Sequence, residues 1–267
     1  MSEQKTPKIS TALFSALPIL FLLFIDIYTM FLQPLGKAVT HLGTAMLAAQ
    51  LICLLIYGKG EICNGQRSRL NNVNCYFALY WGVWLLLDVF STYHYVLTSI
   101  SCVCGLLMVM CVSKHFAEDK VLLNIAALIG VIGLLAYLVI LFYIPSLGWL
   151  QYNIIAQLLT GVIIANIALV ISRNRLQGFI ALLPLVMAVL LLLNVLAVLG
   201  ILALNRESAV LFSNEFALVL YFVLHLVMMG MLAWHIFRKT ALSYNTLMIM
   251  LLMSATLPLW ATFAYIG

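Results

Sequence analysis

Three short runs set a polar residue inside apolar sequence: LFIDIYT at 23–29, LLLDVFS at 85–91 and LLLNVLA at 191–197. The first two read apolar, apolar, apolar, Asp, aliphatic, aromatic, hydroxyl, and the third puts Asn194 where the others have Asp26 and Asp88. A carboxylate at the centre of a membrane helix costs about 2.5–3.5 kcal/mol on the insertion scale, so such groups face protein or water and mark proton or ion paths. Removal from water disfavours the charged form of an acid. The chemistry that Asp26 and Asp88 suggest is proton exchange, with His225 as a relay at mid-depth. Either the three runs repeat one unit that builds a shared site, as transporter repeats do, or leucine-rich helices match one another by composition.

Helical spacing extends each polar residue into a stripe. Ser15, Pro18, Asp26, Thr29 and Gln33 share a face, as do Trp81, Trp84, Asp88, Ser91 and Tyr95. Asn153, Gln157 and Thr160 align on another segment, and Glu215, Phe222 and His225 on a fourth. Lipid offers such stripes no partner. The candidate substrate- or proton-binding residues are therefore Asp26, Asp88, Asn194, Asn153, Gln157, Glu215 and His225.

Other chemistries have thinner support. His41 and His94 fall at similar depth on neighbouring segments, and so do His115 and His235, a spacing that would suit axial haem ligation. All four lie at segment ends, where water reaches them. Cys102 and Cys104 form C-x-C with side chains on different helix faces, and Cys53, Cys63, Cys75 and Cys111 read as reduced, small apolar residues. The methionines at 228, 229, 231, 248, 250 and 253 read as packing residues. There is no G-x-S-x-G, no H-E-x-x-H and no phosphate-cradling glycine loop. An intramembrane hydrolase dyad of Asp26 and Asp88 has no extended motif behind it, so enzymatic activity, a resident cofactor and a metal are not expected.

These residues need a scaffold, and composition names its class. Of 267 residues 66% are hydrophobic and 8% charged. Soluble domains carry roughly 25% charged residues, so the outside of this molecule is built for lipid. We expect an all-α bundle forming one integral membrane domain over 1–267. Nine segments are apolar over the length a bilayer requires: 12–34, 38–57, 75–95, 97–113, 121–144, 150–171, 178–203, 214–236 and 244–265. The run 58–74, GKGEICNGQRSRLNNVN, reads as a polar connector. Pro18, Pro184 and Pro258 fall within segments and predict kinks, while Tyr143, Trp149, Tyr152 and Tyr265 read as interface aromatics.

Charge orients the scaffold. With the N-terminus inside, eleven of the thirteen basic residues fall on the cytoplasmic side, and only Lys37 and Arg206 fall outside. Cytoplasmic loops carry the excess of Lys and Arg, so the expectation is a cytoplasmic N-terminus, an external C-terminus and a bacterial inner membrane. The net charge of +5 is thus a topology signal and not a nucleic-acid footprint. In that frame Asp26, Asp88, Asn153, Gln157 and Asn194 all lie in the external half, which suggests a polar cavity opening outward. The leading expectation is a small-solute or ion transporter with proton coupling. Two readings compete with it: a non-transporting membrane subunit or accessory protein with a membrane-protein partner, and a haem- or quinol-binding redox anchor.

Overall fold

The structure, a computed structural model, describes residues 8–32, 38–60, 62–112, 120–144, 146–173, 177–204 and 214–265. Among these, all regular structure is helical. The helices are α1 (Lys8–Phe31), α2 (Gly43–Lys59), α3 (Asn64–Phe90), α4 (Val96–Cys111), α5 (Lys120–Phe142), α6 (Ile154–Ile171), α7 (Gln177–Leu204), α8 (Glu215–Arg238) and α9 (Tyr244–Tyr265), with a short 3-10 turn at Ser146–Leu150 before α6. Seven of them are long and apolar enough to cross a membrane; α2 and α4 are apolar but shorter. Pro18, Pro184 and Pro258 each sit inside a helix.

Helices α2 and α6 form the centre. A helix apolar on every face has to be buried or bathed in lipid, and these two are buried along nearly their whole length. Small residues let them touch. A Cβ on Gly161 of α6 would sit 2.6 Å from the Ala45 carbonyl oxygen and 3.0 Å from Ala48 Cβ of α2, so the two backbones are in direct contact. Helices α5, α7 and α8 lie at the periphery. Each shows leucine and valine outward, as at Leu128, Leu135, Leu192, Leu196, Val219 and Leu226, and buries one face.

Hydrogen bonds between chain segments define two ends. At one, Tyr57 near the end of α2 donates to the Arg67 carbonyl, Arg69 donates to Ser172 after α6, and Tyr244 at the start of α9 donates to Phe14 of α1. At the other, the Ala38 amide donates to the Tyr93 carbonyl, joining the α1–α2 and α3–α4 connections, and Asn214 before α8 donates to Ala264 of α9. We call these the basic end and the acidic end. Lys8, Lys59, Arg67, Arg69, Lys120, Arg173, Arg238 and Lys239 all fall in segments at the first, whereas Asp26, Asp88 and Glu215 lie toward the second.

The connector expected over 58–74 is shorter than its composition suggests. Helix begins at Asn64, so α3 runs 27 residues and adds polar turns before its apolar stretch. A capping box starts it: Gln66 Oε1 accepts from the Cys63 amide and the Cys63 side chain faces the Gln66 backbone. Gln66 Nε2 and Arg69 Nε then donate to the Arg173 and Ser172 carbonyls, tying the added turns to the end of α6. The Gly, Asn and Arg content hid this helix because tertiary bonds, not propensity, hold it.

Candidate functional site: three histidine pairs

Asp26 lies five residues before the end of α1, fully buried. Its Oδ1 accepts the His41 amide at 2.7 Å. Its Oδ2 lies 2.5 Å from Thr40 Oγ1 and 2.5 Å from the Tyr80 hydroxyl, both able to donate to it. The two hydroxyls are 2.6 Å apart. Asp26 thereby holds the non-helical residues that lead into α2. His41 is buried too, with Nδ1 3.4 Å from Asp26 Oδ1 and its ring stacked on Tyr152 at 4.3 Å. Neither imidazole nitrogen has a hydrogen-bond partner among the described residues.

Asp88 repeats this pattern at the end of α3. Its Oδ1 accepts the Tyr95 amide at 2.8 Å, its Oδ2 accepts the Ser99 hydroxyl at 2.5 Å, and His94 Nδ1 lies 3.4 Å from Oδ2. In both sites an acid near the end of one helix takes an amide and a hydroxyl from the approach to the next helix or its first turn, with a histidine Nδ1 at the same distance. They differ in access. Asp88 is buried, but the His94 side chain is 45% exposed. Partial burial, with Tyr143 nearby, pushes the Tyr95 phenol above its ordinary value.

Asn194 of α7 supplies a third pairing. Its Nδ2 lies 2.5 Å from His225 Nε2 of α8 and donates to the Tyr221 hydroxyl at 3.3 Å. His225 Nδ1 lies 2.7 Å from the Tyr221 carbonyl oxygen, which can only accept. Nδ1 therefore carries the hydrogen, and Nε2 presents a lone pair to the Asn194 amide. Each of the three runs singled out above thus meets a histidine from the following segment.

The three sites lie at different depths. Tyr80, which bonds Asp26, precedes Asp88 by eight residues of α3, about 12 Å along the axis. Asp26 and Asp88 share no hydrogen-bond partner among the described residues, although the buried Cys102 thiol lies in the field of both. Asn194 and His225 are each ten residues from the acidic end of their own helices, about 15 Å in. Polar side chains bridge the gap between the Asp26 and Asn194 sites. Tyr137 donates to the Thr40 carbonyl at 2.5 Å and receives Gln157 Nε2 at 3.1 Å. Gln157 also bonds the Tyr152 carbonyl and takes the Thr44 amide at the start of α2. Asn153, one turn before Gln157, caps α6 and stands beside the Tyr221 hydroxyl.

Asp26, Asn153, Gln157, Asn194 and His225 therefore lie along one polar chain, with His41 beside its acid, whereas Asp88 and His94 form a separate cluster at the α3–α4 turn. Glu215 does not; it is exposed in the first turn of α8, where an acid suits the helix dipole. Gln33 and His115 lie outside the described residues. Sequence reading missed Thr40, Tyr80, Tyr137 and Tyr221. Tyr80 shares the Trp84–Asp88 face and Tyr221 sits one turn before His225, so periodicity could have found those two. Nothing in sequence signals that residues 38–42 bring Thr40 to Asp26.

Comparison with known proteins bears on the whole chain. A family model described as an integral membrane domain matches residues 4–263. The chain belongs to this family. A relative in Haemophilus influenzae (strain ATCC 51907 / DSM 11121 / KW20 / Rd), an uncharacterized protein, is 47% identical over 267 residues, covering 98% of this chain and all of its own length. No solved structure matches the chain. Family membership establishes an integral membrane protein, in contact with the bilayer.

Proposed function

We propose that this protein moves a small solute or ion across a bacterial inner membrane and couples that movement to protons, with Asp26 as the proton-binding group. The observation that carries this reading is the triangle of Asp26 Oδ2, Thr40 Oγ1 and Tyr80 OH, with edges of 2.5, 2.6 and 2.5 Å. Three short oxygen–oxygen edges need three protons. Thr40 and Tyr80 bring one each. A proton on the carboxyl completes the ring, each oxygen donating to the next. An ionised Asp26 leaves one edge with lone pairs opposed, and a hydroxyl then has to swing away.

The triangle joins α1, the approach to α2 and α3, so gain or loss of that proton biases the packing of three elements. A local change of charge that biases a two-state element is the usual logic of such switches. His41, with Nδ1 3.4 Å from the carboxylate, is the nearest group able to accept the proton. From Asp26 the polar chain runs through Tyr137, Gln157 and Asn153 to His225 at its other end. Membrane carboxylates and histidines in series commonly serve as proton relays. For Asp88 a structural role is favoured by its bonds, all of which close the α3–α4 turn.

Proteoliposomes test the proposal. With a potassium diffusion potential imposed, an internal pH dye should report proton uptake above that of protein-free vesicles. Asp26→Asn should lower it at least tenfold, and Asp88→Asn should act mainly on yield. Equal uptake by wild type and Asp26→Asn would remove the proposal and leave the accessory-subunit reading.

A further inference from the structure

A second feature lies at the basic end, remote from the polar chain. A cavity of about 250 Å³ opens between the starts of α1, α3 and α9 and the end of α6. Two guanidinium groups line it, Arg69 and Arg173, with Thr11 and Asn245 as neutral polar groups and Phe14 and Tyr244 as an apolar wall. Among the described residues no carboxylate lines it.

The walls are fixed by other bonds. Arg69 Nε donates to the Ser172 carbonyl at 3.0 Å, which anchors its guanidinium. Gln66 Nε2 holds the Arg173 carbonyl at 2.8 Å, and Arg173 has φ 53, a left-handed turn that reverses the chain after α6. Tyr244 spends its hydroxyl on the Phe14 carbonyl at 3.1 Å and packs edge-on against the Phe14 ring. The site therefore offers two positive charges on a rigid frame beside the N-terminus of the 22-residue helix α9, which adds its own positive potential. Phe14 is 45% exposed and Leu17, one turn further along α1, is 47% exposed, so the apolar wall continues onto the lipid-facing surface.

We infer that this cavity binds a phosphate group. Planar guanidinium forks match phosphate oxygens, and basic pockets between membrane helices hold lipid head groups. The phosphodiester of an anionic phospholipid is the source that uses both halves of the site, its acyl chains lying along Phe14 and Leu17. A soluble phosphate would use the polar half alone.

The test uses the full chain purified in detergent. Native mass spectrometry after exposure to equal amounts of phosphatidylglycerol and phosphatidylcholine reads lipid binding, and a melting curve with inorganic phosphate reads soluble binding. Arg69→Gln removes one charge but also an anchoring bond. Arg173→Gln and Asn245→Asp alter exposed side chains and keep the frame, while Arg238→Gln, at the same end but outside the cavity, is the control. We expect phosphatidylglycerol to be retained at least fivefold over phosphatidylcholine, and that preference to vanish in Arg173→Gln and Asn245→Asp but persist in Arg238→Gln. Stabilisation by inorganic phosphate that those two variants abolish, without a lipid preference, would support the phosphate site and assign it a soluble ligand. Equal retention of both lipids with no effect of phosphate, or binding that both cavity variants preserve, would overturn the inference.

Discussion

At the scale of residues, the Asp26 triangle separates charge from shape. In Asp26→Asn the amide oxygen can still accept the His41 amide, while Nδ2 brings permanent hydrogens to the position of Oδ2. The variant imitates the protonated acid, and we predict a melting temperature at or above that of wild type together with loss of proton uptake. Asp26→Leu leaves the His41 amide without an acceptor and, since Thr40 and Tyr80 can still bond each other, one of the two hydroxyls as well. Each buried group so orphaned costs about 1–3 kcal/mol, so this variant should melt far earlier or fail to accumulate. Tyr80→Phe removes one proton and two edges of the ring and leaves the Thr40–Asp26 bond. We expect it to lose about 1–3 kcal/mol in thermal unfolding, a smaller loss than Asp26→Leu.

At the scale of elements, the α2–α6 contact decides where the site sits. The Thr44 amide bonds Gln157 of α6, and Thr40 and His41 hang on Asp26, so a shift of α2 moves two of the acid's three hydrogen-bond partners, while Tyr80 stays with α3. Gly161→Ala drives a methyl against the Ala45 carbonyl, a backbone atom with little room to yield. Overpacking of this kind costs about 1–3 kcal/mol, and we predict a lower melting temperature with altered labelling of a reporter placed at His94. Helix identity was legible here because α6 is apolar on every face and rich in small residues. The histidine partners were less so. Depth alone could align His41 with Asp26, but periodicity does not tell which connections fold back into a bundle. For the same reason the first turns of α3 read as loop: their carbonyl partners at residues 172 and 173 are about a hundred residues away.

At the scale of the molecule, charge and burial point the same way. The described lysines and arginines gather at one end and the three described acids lie toward the other. On that division we propose nine crossings with a cytoplasmic N-terminus, because positive charge resists translocation. Helices α2 and α4, at 17 and 16 residues, reach about 25 Å, close to the hydrocarbon thickness once their non-helical approaches are added. Fusion of a reporter active only outside the cytoplasm should therefore give signal after residues 92, 145 and 208, and none after residues 61, 117 and 174. The reverse pattern would invert the molecule, and signal at 61 would show that α2 does not cross. The membrane-integral, all-helical character was plain in composition, where hydropathy leaves no alternative. The depth order of the three polar sites was legible only roughly, because helix boundaries blur by a turn and α3 extends beyond its apolar stretch.

Infrared spectroscopy reads directly the proton that we propose completes the ring of Asp26, Thr40 and Tyr80. In the difference spectrum between purified wild type and Asp26→Asn near neutral pH, we predict a protonated-carboxyl C=O band that is present in wild type, shifts in heavy water and is missing from the variant. A difference spectrum showing only the stretches of an ionised carboxylate would contradict it.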